Sequence, residues 1–127
     1  MNPLVLRSEL PPDDTVVVVR GGEMNSAHVR ASAQDSFDDF GVFTISASLA
    51  LDLTVGELCM SDRRISRYGK VRLSTVGRLR REGFALLPTL ARPHYDVVLA
   101  DLSDNTLDRL ESVFDAPILR PHGAGGA

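Results

Sequence analysis

The stretch Thr15-Val16-Val17-Val18-Val19-Arg20-Gly21-Gly22 decides the fold class of this chain. Its four consecutive valines are β-branched and apolar, so they predict a buried strand rather than a helix. The strand ends in an arginine and two glycines, and glycines leave room for a ligand to approach the backbone. A guanidinium at such an opening suits a phosphate or a carboxylate. The same residues also suit a plain strand end followed by a turn, and the residues alone favour this second interpretation.

The spacing of apolar residues predicts further elements after this strand. Additional strands are predicted at residues 42–49, 70–74, 84–87 and 94–100. Helices are predicted at residues 26–40, 54–69, 75–83 and 103–114. The second is opened by the capping-box pair Thr54 and Glu57, and a restart at Ser61 is left open. The sequence therefore predicts an α+β fold, with about five short strands in a mostly antiparallel, split or curved sheet and three to four helices.

The 127 residues are enough for one domain with one core. Residues 1–14 predict an irregular leader, residues 15–115 a single α+β domain, and residues 116–127 a flexible tail rich in proline and glycine. The sequence holds no apolar run of membrane-spanning length and no secretory signal pattern, so we expect a cytoplasmic protein without a membrane partner. Cys59 is the only cysteine and no HExxH motif occurs, so no metal site is predicted.

Charge is unevenly distributed along the chain. Residues 63–81, here called the basic band, contain eight basic residues and no acidic one, whereas the remaining six basic residues stand against seventeen acidic ones. A negative partner is one reason for such clustering, and surface salt bridges with the acidic remainder of the chain are the other. The basic residues of the band are Arg63, Arg64, Arg67, Lys70, Arg72, Arg78, Arg80 and Arg81.

The strand at residues 42–49 carries three hydroxyl side chains on one face: Thr44, Ser46 and Ser48. A row of hydroxyls can bind a ligand along a groove or can simply face solvent. Ser46 also supplies one residue type of a Ser-His-Asp triad, with His94 and Asp96 as the other two. No serine of this chain, however, lies in a nucleophile-elbow sequence.

Three stretches taken together resemble the ADP-ribosyltransferase-like fold of small bacterial toxins. They are the valine strand that ends in Arg20-Gly21-Gly22, the hydroxyl-rich strand Phe43-Thr44-Ile45-Ser46-Ala47-Ser48, and the late strand Pro93-His94-Tyr95-Asp96-Val97-Val98 before the last helix. The resemblance extends over about residues 15–114, and each motif in it is short.

The resemblance implies an NAD-dependent transfer to a macromolecule, or cleavage of NAD. It implies that Arg20, beside Gly21 and Gly22, holds a phosphate or ribose of NAD. Thr44, Ser46 and Ser48 are implied to line the nicotinamide pocket. The glutamate usual in that family has no clear counterpart here, and Asp96 is among the nearest late carboxylates, so the implied catalytic set is Arg20, Ser46 and Asp96. An acidic inhibitory protein, an antitoxin or immunity protein, is the implied partner.

Two other hypotheses rest on the basic band. The first is a nucleic-acid-binding or ribonuclease-type toxin, which needs the arginines on one exposed face. The second is a non-enzymatic module that binds an acidic protein. The sequence leaves open whether the chain is an enzyme.

Overall fold

The computed structural model of the chain describes residues 3–20, 26–66 and 69–121. Within these ranges five helices and six strands follow one another, and the fold is α+β, as the sequence predicts. The elements are β1 (Val16–Arg20), α1 (Ser26–Phe40), β2 (Phe43–Leu49), α2 (Val55–Ser61), α3 (Arg63–Ser66), β3 (Lys70–Thr75), α4 (Val76–Arg81), β4 (Ala85–Leu87), β5 (His94–Leu99), α5 (Asp104–Ser112) and β6 (Ile118–Leu119).

The strands form one open sheet in the order β4-β5-β2-β1-β3-β6, and every neighbouring pair is antiparallel. β1 pairs with β3 along its whole length, from Val16 to Arg20. With β2 it pairs at Val17–Leu49 and Val18–Ser48, the end of β1 away from Arg20. The valine strand is therefore central, and its arginine end stays with β3.

Alternation along the strands buries both faces of the sheet. Val17 and Val19 of β1 belong to a large core with β2, β5, α1, α4 and α5. Val18 packs in a second core with α2, α3 and β3, on the opposite face. The second core covers the β1–β3 half of its face. The β2–β5 half of the same face carries the hydroxyl row instead, and there the candidate site lies.

The helix α1 packs through the apolar stripe that its sequence predicts. Ala33 is fully buried, and the ring of Phe37 stacks on Phe43 of β2 with 4.5 Å between centroids. Gly41 ends the helix at a φ of 83°, a conformation that glycine adopts without strain. The helix is thus fixed beside β2, which places its last turns at the edge of the hydroxyl face.

The helical stretch predicted for residues 54–69, with a restart considered at Ser61, is divided into α2 and α3. Thr54 and Glu57 form the predicted capping box. The division lies at Asp62, whose backbone is extended and whose carboxylate accepts a hydrogen bond of 2.9 Å from the Arg64 amide. Asp62 therefore ends one helix and caps the next, which the local apolar spacing did not indicate.

The strand β6 is an addition to the five strands expected from the sequence. Ile118 and Leu119 pair with Val71 and Lys70 of β3, within the stretch predicted as tail. Both side chains are exposed, so no apolar alternation marked this strand. The strand forms because the outer edge of β3 is free to pair with it, and β3 is distant from residues 118–119 in the sequence.

Candidate functional site

A cavity of about 590 Å³ opens on the hydroxyl face of β2 and β5. Its volume falls within the range of small-molecule sites, about 300–1,000 Å³. One wall is the N-terminal segment, residues 3–7, and another is formed by Ser32, Ser36 and Phe40 of α1. The floor is polar and consists of Thr44, Ser46, Thr89, His94 and Asp96.

The register of β2 and β5 brings the floor together. Ser46 pairs with Asp96, and Ser48 pairs with His94, so all four side chains lie on one face. Thr89 comes from the loop between β4 and β5. The three residues that the sequence offered as a Ser-His-Asp triad, Ser46, His94 and Asp96, are therefore neighbours in space.

A directed chain of hydrogen bonds joins these residues. The Thr89 hydroxyl donates to Oδ2 of Asp96 at 2.8 Å, since a carboxylate can only accept. Because its proton is used there, Thr89 Oγ1 accepts from Nδ1–H of His94 at 2.9 Å. Nε2 of His94 then carries no proton and accepts from the Ser46 hydroxyl at 3.2 Å. The order is Ser46, His94, Thr89, Asp96.

The environment of His94 favours the neutral imidazole. The residue is only 3% exposed, and burial lowers its pKa below the ordinary value because the charged form loses water. Asp96 and Asp62 oppose this shift and Arg64 adds to it, with burial the largest cause. A neutral ring with a bare Nε2 is the form that a general base needs.

A second hydroxyl pair lies beside Ser46. Ser36 of α1 and Thr44 of β2 are hydrogen-bonded at 2.7 Å between their oxygens. One hydroxyl donates to the other, so the accepting hydroxyl keeps a proton for a ligand. Both residues line the cavity. The pair therefore places a hydrogen-bond donor on the floor near Ser46.

The expected binding residue Ser48 lies elsewhere. Its side chain is 1% exposed, and its hydroxyl donates to the carboxylate of Asp62. Asp62 is itself buried, on the face of the sheet that carries Ser48 and the second core. Ser48 is therefore a structural link between β2 and the start of α3 and is not part of the cavity lining, whereas Thr44 and Ser46 line the cavity.

Arg20 is placed away from the cavity. It lies exposed at the end of β1, paired through its backbone with Val71 of β3, and it is not among the described residues that line the cavity. Gly21 and Gly22 lie outside the described residues. Of Arg20 and Ser46, only Ser46 lines the cavity, and β1 stays paired with β3 up to Arg20.

The basic band largely pairs with acidic residues of the same chain. Arg72 is only 7% exposed and donates to the Asp115 carbonyl at 2.9 Å. Salt bridges join Arg64 to Asp62, Arg72 to Glu111, Arg78 to Asp115 and Arg80 to Asp13. Arg67 lies outside the described residues. The nucleic-acid and acidic-partner hypotheses stay predictions. Arg72 is buried and cannot belong to an exposed binding face, whereas Arg63, Lys70 and Arg81 are exposed.

Two residues of the site were missed in the sequence. Thr89 carries the link between His94 and Asp96, and the loop at residues 88–93 has no periodic pattern that could identify it. Arg7 is the other: it fixes the N-terminal segment by donating to the carbonyls of Thr89 and Leu90, both at 2.6 Å, and of His94 at 3.0 Å. These contacts span more than eighty residues of sequence, so no local signal reveals them.

Metal ligands and membrane spans were sought in residues 3–20, 26–66 and 69–121. These ranges contain no group of three or more histidine, cysteine, aspartate or glutamate side chains that could hold a metal ion. None of their helices is both long and apolar enough to cross a membrane. Cys59 is a buried thiol whose pKa is raised by burial, in agreement with an inert core residue.

Comparisons with known proteins leave the site to be judged by its own geometry. The chain matches no protein-family profile, no curated protein and no solved structure.

Proposed function

We propose that this chain is a serine-dependent acyl hydrolase with Ser46 as the nucleophile. The observation that carries the proposal is the hydrogen bond of 3.2 Å between Ser46 Oγ and Nε2 of His94. A serine within hydrogen-bond reach of a base, with the base oriented by a third group, is the arrangement required for nucleophilic catalysis. Here the orienting group is the Thr89 hydroxyl, itself held by Asp96.

The first half-reaction forms an acyl-enzyme. Ser46 Oγ attacks the carbonyl carbon of an ester, and its proton passes to Nε2 of His94. The bond between the carbonyl carbon and the alcohol oxygen then breaks, and the leaving alcohol takes the proton from Nε2. Thr89 Oγ1 stabilises the transient imidazolium by accepting from Nδ1–H, and Asp96 holds Thr89 in place by accepting from its hydroxyl.

The second half-reaction restores the enzyme. A water molecule attacks the acyl carbon while His94 Nε2 takes one of its protons. The bond to Ser46 Oγ breaks, and that oxygen recovers the proton from Nε2 as the carboxylic acid is released. The negative carbonyl oxygen formed in both steps needs a donor, and the hydroxyl pair of Ser36 and Thr44, which lines the same cavity as Ser46, can supply one.

The experiment is labelling with a fluorophosphonate, followed by mass spectrometry of the intact chain and its peptides. We expect one adduct on Ser46 and none in Ser46→Ala. His94→Gln should label about 10²–10⁴-fold more slowly, since it lacks the base. Ser32→Ala is the matched control, because Ser32 is an exposed serine of the same cavity outside the hydrogen-bond chain. Labelling spread over several serines, or unchanged in folded His94→Gln, would contradict the proposal.

An NAD-dependent transferase, as the resemblance implies, is the second candidate. The presence of Thr44 and Ser46 in the cavity supports it, whereas the position of Arg20 gives it no support. Calorimetric titration with NAD tests it. Binding that Ser46→Ala and Arg20→Ala both weaken would favour the transferase, and the absence of heat and of thermal protection would count against it.

A further inference from the structure

We infer that the site takes a neutral ester whose aliphatic acyl chain lies against the N-terminal segment. This inference rests on the proposed hydrolase function and specifies its substrate class. Three features carry it: the apolar wall of the cavity, the charged residues of the lining, and the position of Ser46 in the same cavity.

The wall opposite the polar floor is apolar. It is formed by Leu4, Val5, Leu6, Phe40 and Leu90. Three of these side chains are well exposed, Val5 at 79%, Leu6 at 50% and Leu90 at 61%. Apolar side chains grouped at a cavity mouth and left in contact with water indicate a ligand that covers them. An aliphatic chain is the simplest group that gains from covering all of them.

The cation of the described lining, Arg7, is already engaged within the protein. Apart from His94, the ionisable residues among the described lining are Arg7 and Asp96. Arg7 directs Nε and Nη2 at Glu9, Nη1 at two carbonyls, and Nη2 also at the His94 carbonyl, which accounts for its five donors. Asp96 accepts from Thr89. A carboxylate or phosphate of a substrate would therefore find no unengaged cation in the described lining, and Asp96 is the residue that holds Thr89 in the hydrogen-bond chain.

Ser46 and the apolar wall meet in one cavity, so a single molecule can contact both. With its carbonyl carbon at Ser46 Oγ, an ester can extend its chain along residues 4–6 toward Phe40 or Leu90. The alcohol part then leaves through the open side. The polar floor thus carries the reaction and the apolar wall binds the acyl chain, so a substitution can change one without changing the other.

The first test uses p-nitrophenyl acetate, butyrate, hexanoate and octanoate with the full chain. We expect kcat/KM to rise by about two- to fourfold for each added methylene until the cavity is full, as burial of a methylene predicts. The second test titrates the neutral ketones 2-butanone, 2-hexanone and 2-decanone into wild type and Ser46→Ala. These ketones cannot be hydrolysed, and we expect affinity to rise with chain length in both proteins.

Leu6→Ser and Leu10→Ser provide a matched pair on the same segment. Leu6 lines the cavity, whereas Leu10 is 87% exposed and does not. We expect Leu6→Ser to lower kcat/KM for the octanoate ester by about five- to tenfold, with little change for the acetate ester. Leu10→Ser should match wild type with both.

The outcomes separate the inference from the proposed function. Ester hydrolysis without dependence on chain length, or equal effects of Leu6→Ser and Leu10→Ser, would overturn the inference and leave the hydrolase standing. Tight 2-decanone binding without hydrolysis of any ester would overturn the hydrolase and keep the apolar binding site. A concentration-dependent dimer that blocks 2-decanone binding would show that a second copy of the chain covers the wall, and would overturn the inference.

Discussion

Thr89 Oγ1 lies 2.9 Å from Nδ1 of His94 and so stands between the imidazole and Asp96, to which it donates at 2.8 Å. The carboxylate acts on the histidine through a hydroxyl rather than directly. The orientation and the tautomer of His94 therefore depend on a loop residue outside the paired strands. This relationship leads to the first prediction.

Thr89→Val should lower kcat for ester hydrolysis by about 10²-fold, because Nδ1–H of His94 loses its nearer acceptor and the link to Asp96, and keeps only the Thr89 carbonyl at 3.3 Å. The apparent pKa of the pH–rate profile should change at the same time. Thr89→Ser is the control and should restore most of the activity. If Thr89→Val kept the wild-type pH profile, the link through Thr89 would have no part in the reaction.

The second prediction concerns pH. Since burial lowers the pKa of His94, kcat/KM should rise through an apparent pKa below the ordinary value of about 6.5 and be flat from about pH 7 to 8. The pKa of His94 is lowered even though the charges of Asp96 and Asp62 raise it, because burial is the largest effect and Arg64 acts in the same direction as burial. An activity that rises only above pH 8 would contradict a neutral His94 base.

The same shift affects the stability of the fold. The unfolded chain binds a proton at His94 more readily than the folded chain does. The free energy of unfolding therefore falls as the pH drops below about 6.5, the ordinary pKa of histidine, and His94 causes no such loss above it. Denaturant unfolding of wild type and His94→Gln from pH 5 to 8 measures it. The difference in the free energy of unfolding between the two should vary across this window.

The third prediction concerns Arg7. Arg7→Met removes charge-assisted hydrogen bonds to three carbonyls and to Glu9, and should cost about 1.5–3 kcal/mol in the free energy of unfolding. Hydrogen exchange should accelerate at the Arg7 amide, which is bonded to the Pro88 carbonyl at 2.7 Å. Arg63→Met, at an exposed arginine of α3, should change neither quantity. Equal exchange in both variants would show that Arg7 does not fix the segment.

The fourth prediction concerns Asp62, whose buried carboxylate accepts from the Ser48 hydroxyl and the Arg64 amide. Asp62→Asn replaces one oxygen with an amide donor and should cost about 1–3 kcal/mol in the free energy of unfolding. Asp52→Asn is the matched control: its side chain is 90% exposed, and asparagine suits its φ of 60°. A similar loss in both variants, measured in urea, would contradict the role given to Asp62.

Local patterns predicted the elements well where packing follows local periodicity. The valines of β1, the alternation of β2 and β5, and the cap at Thr54 each needed only neighbouring residues. The strand β6 was not predicted, because its partner strand is distant in sequence. The helix restart considered at Ser61 lies at Asp62, where a contact with β2 also holds the break. Asp62 is held by Ser48 of β2, and Ile118 is held by Val71 of β3.

The candidate site was predicted in part. The sequence singled out Ser46, His94 and Asp96 as residue types but gave no reason for them to meet. Ser48 was grouped with Ser46 because both belong to the hydroxyl row of one strand, and Arg20 was grouped with them through the family resemblance. The Ser48 hydroxyl donates to Asp62, and Arg20 pairs through its backbone with Val71 of β3.

The sequence by itself determined the α+β class and the alternation that sets Thr44, Ser46 and Ser48 on one face, since strand periodicity is a local property of the backbone. Only the tertiary structure decided which of those hydroxyls meets a base. That choice depends on the register of β2 with β5 and on the loop that places Thr89 against His94. Register and loop position are set by the packing of the whole sheet, and no stretch of sequence encodes them alone.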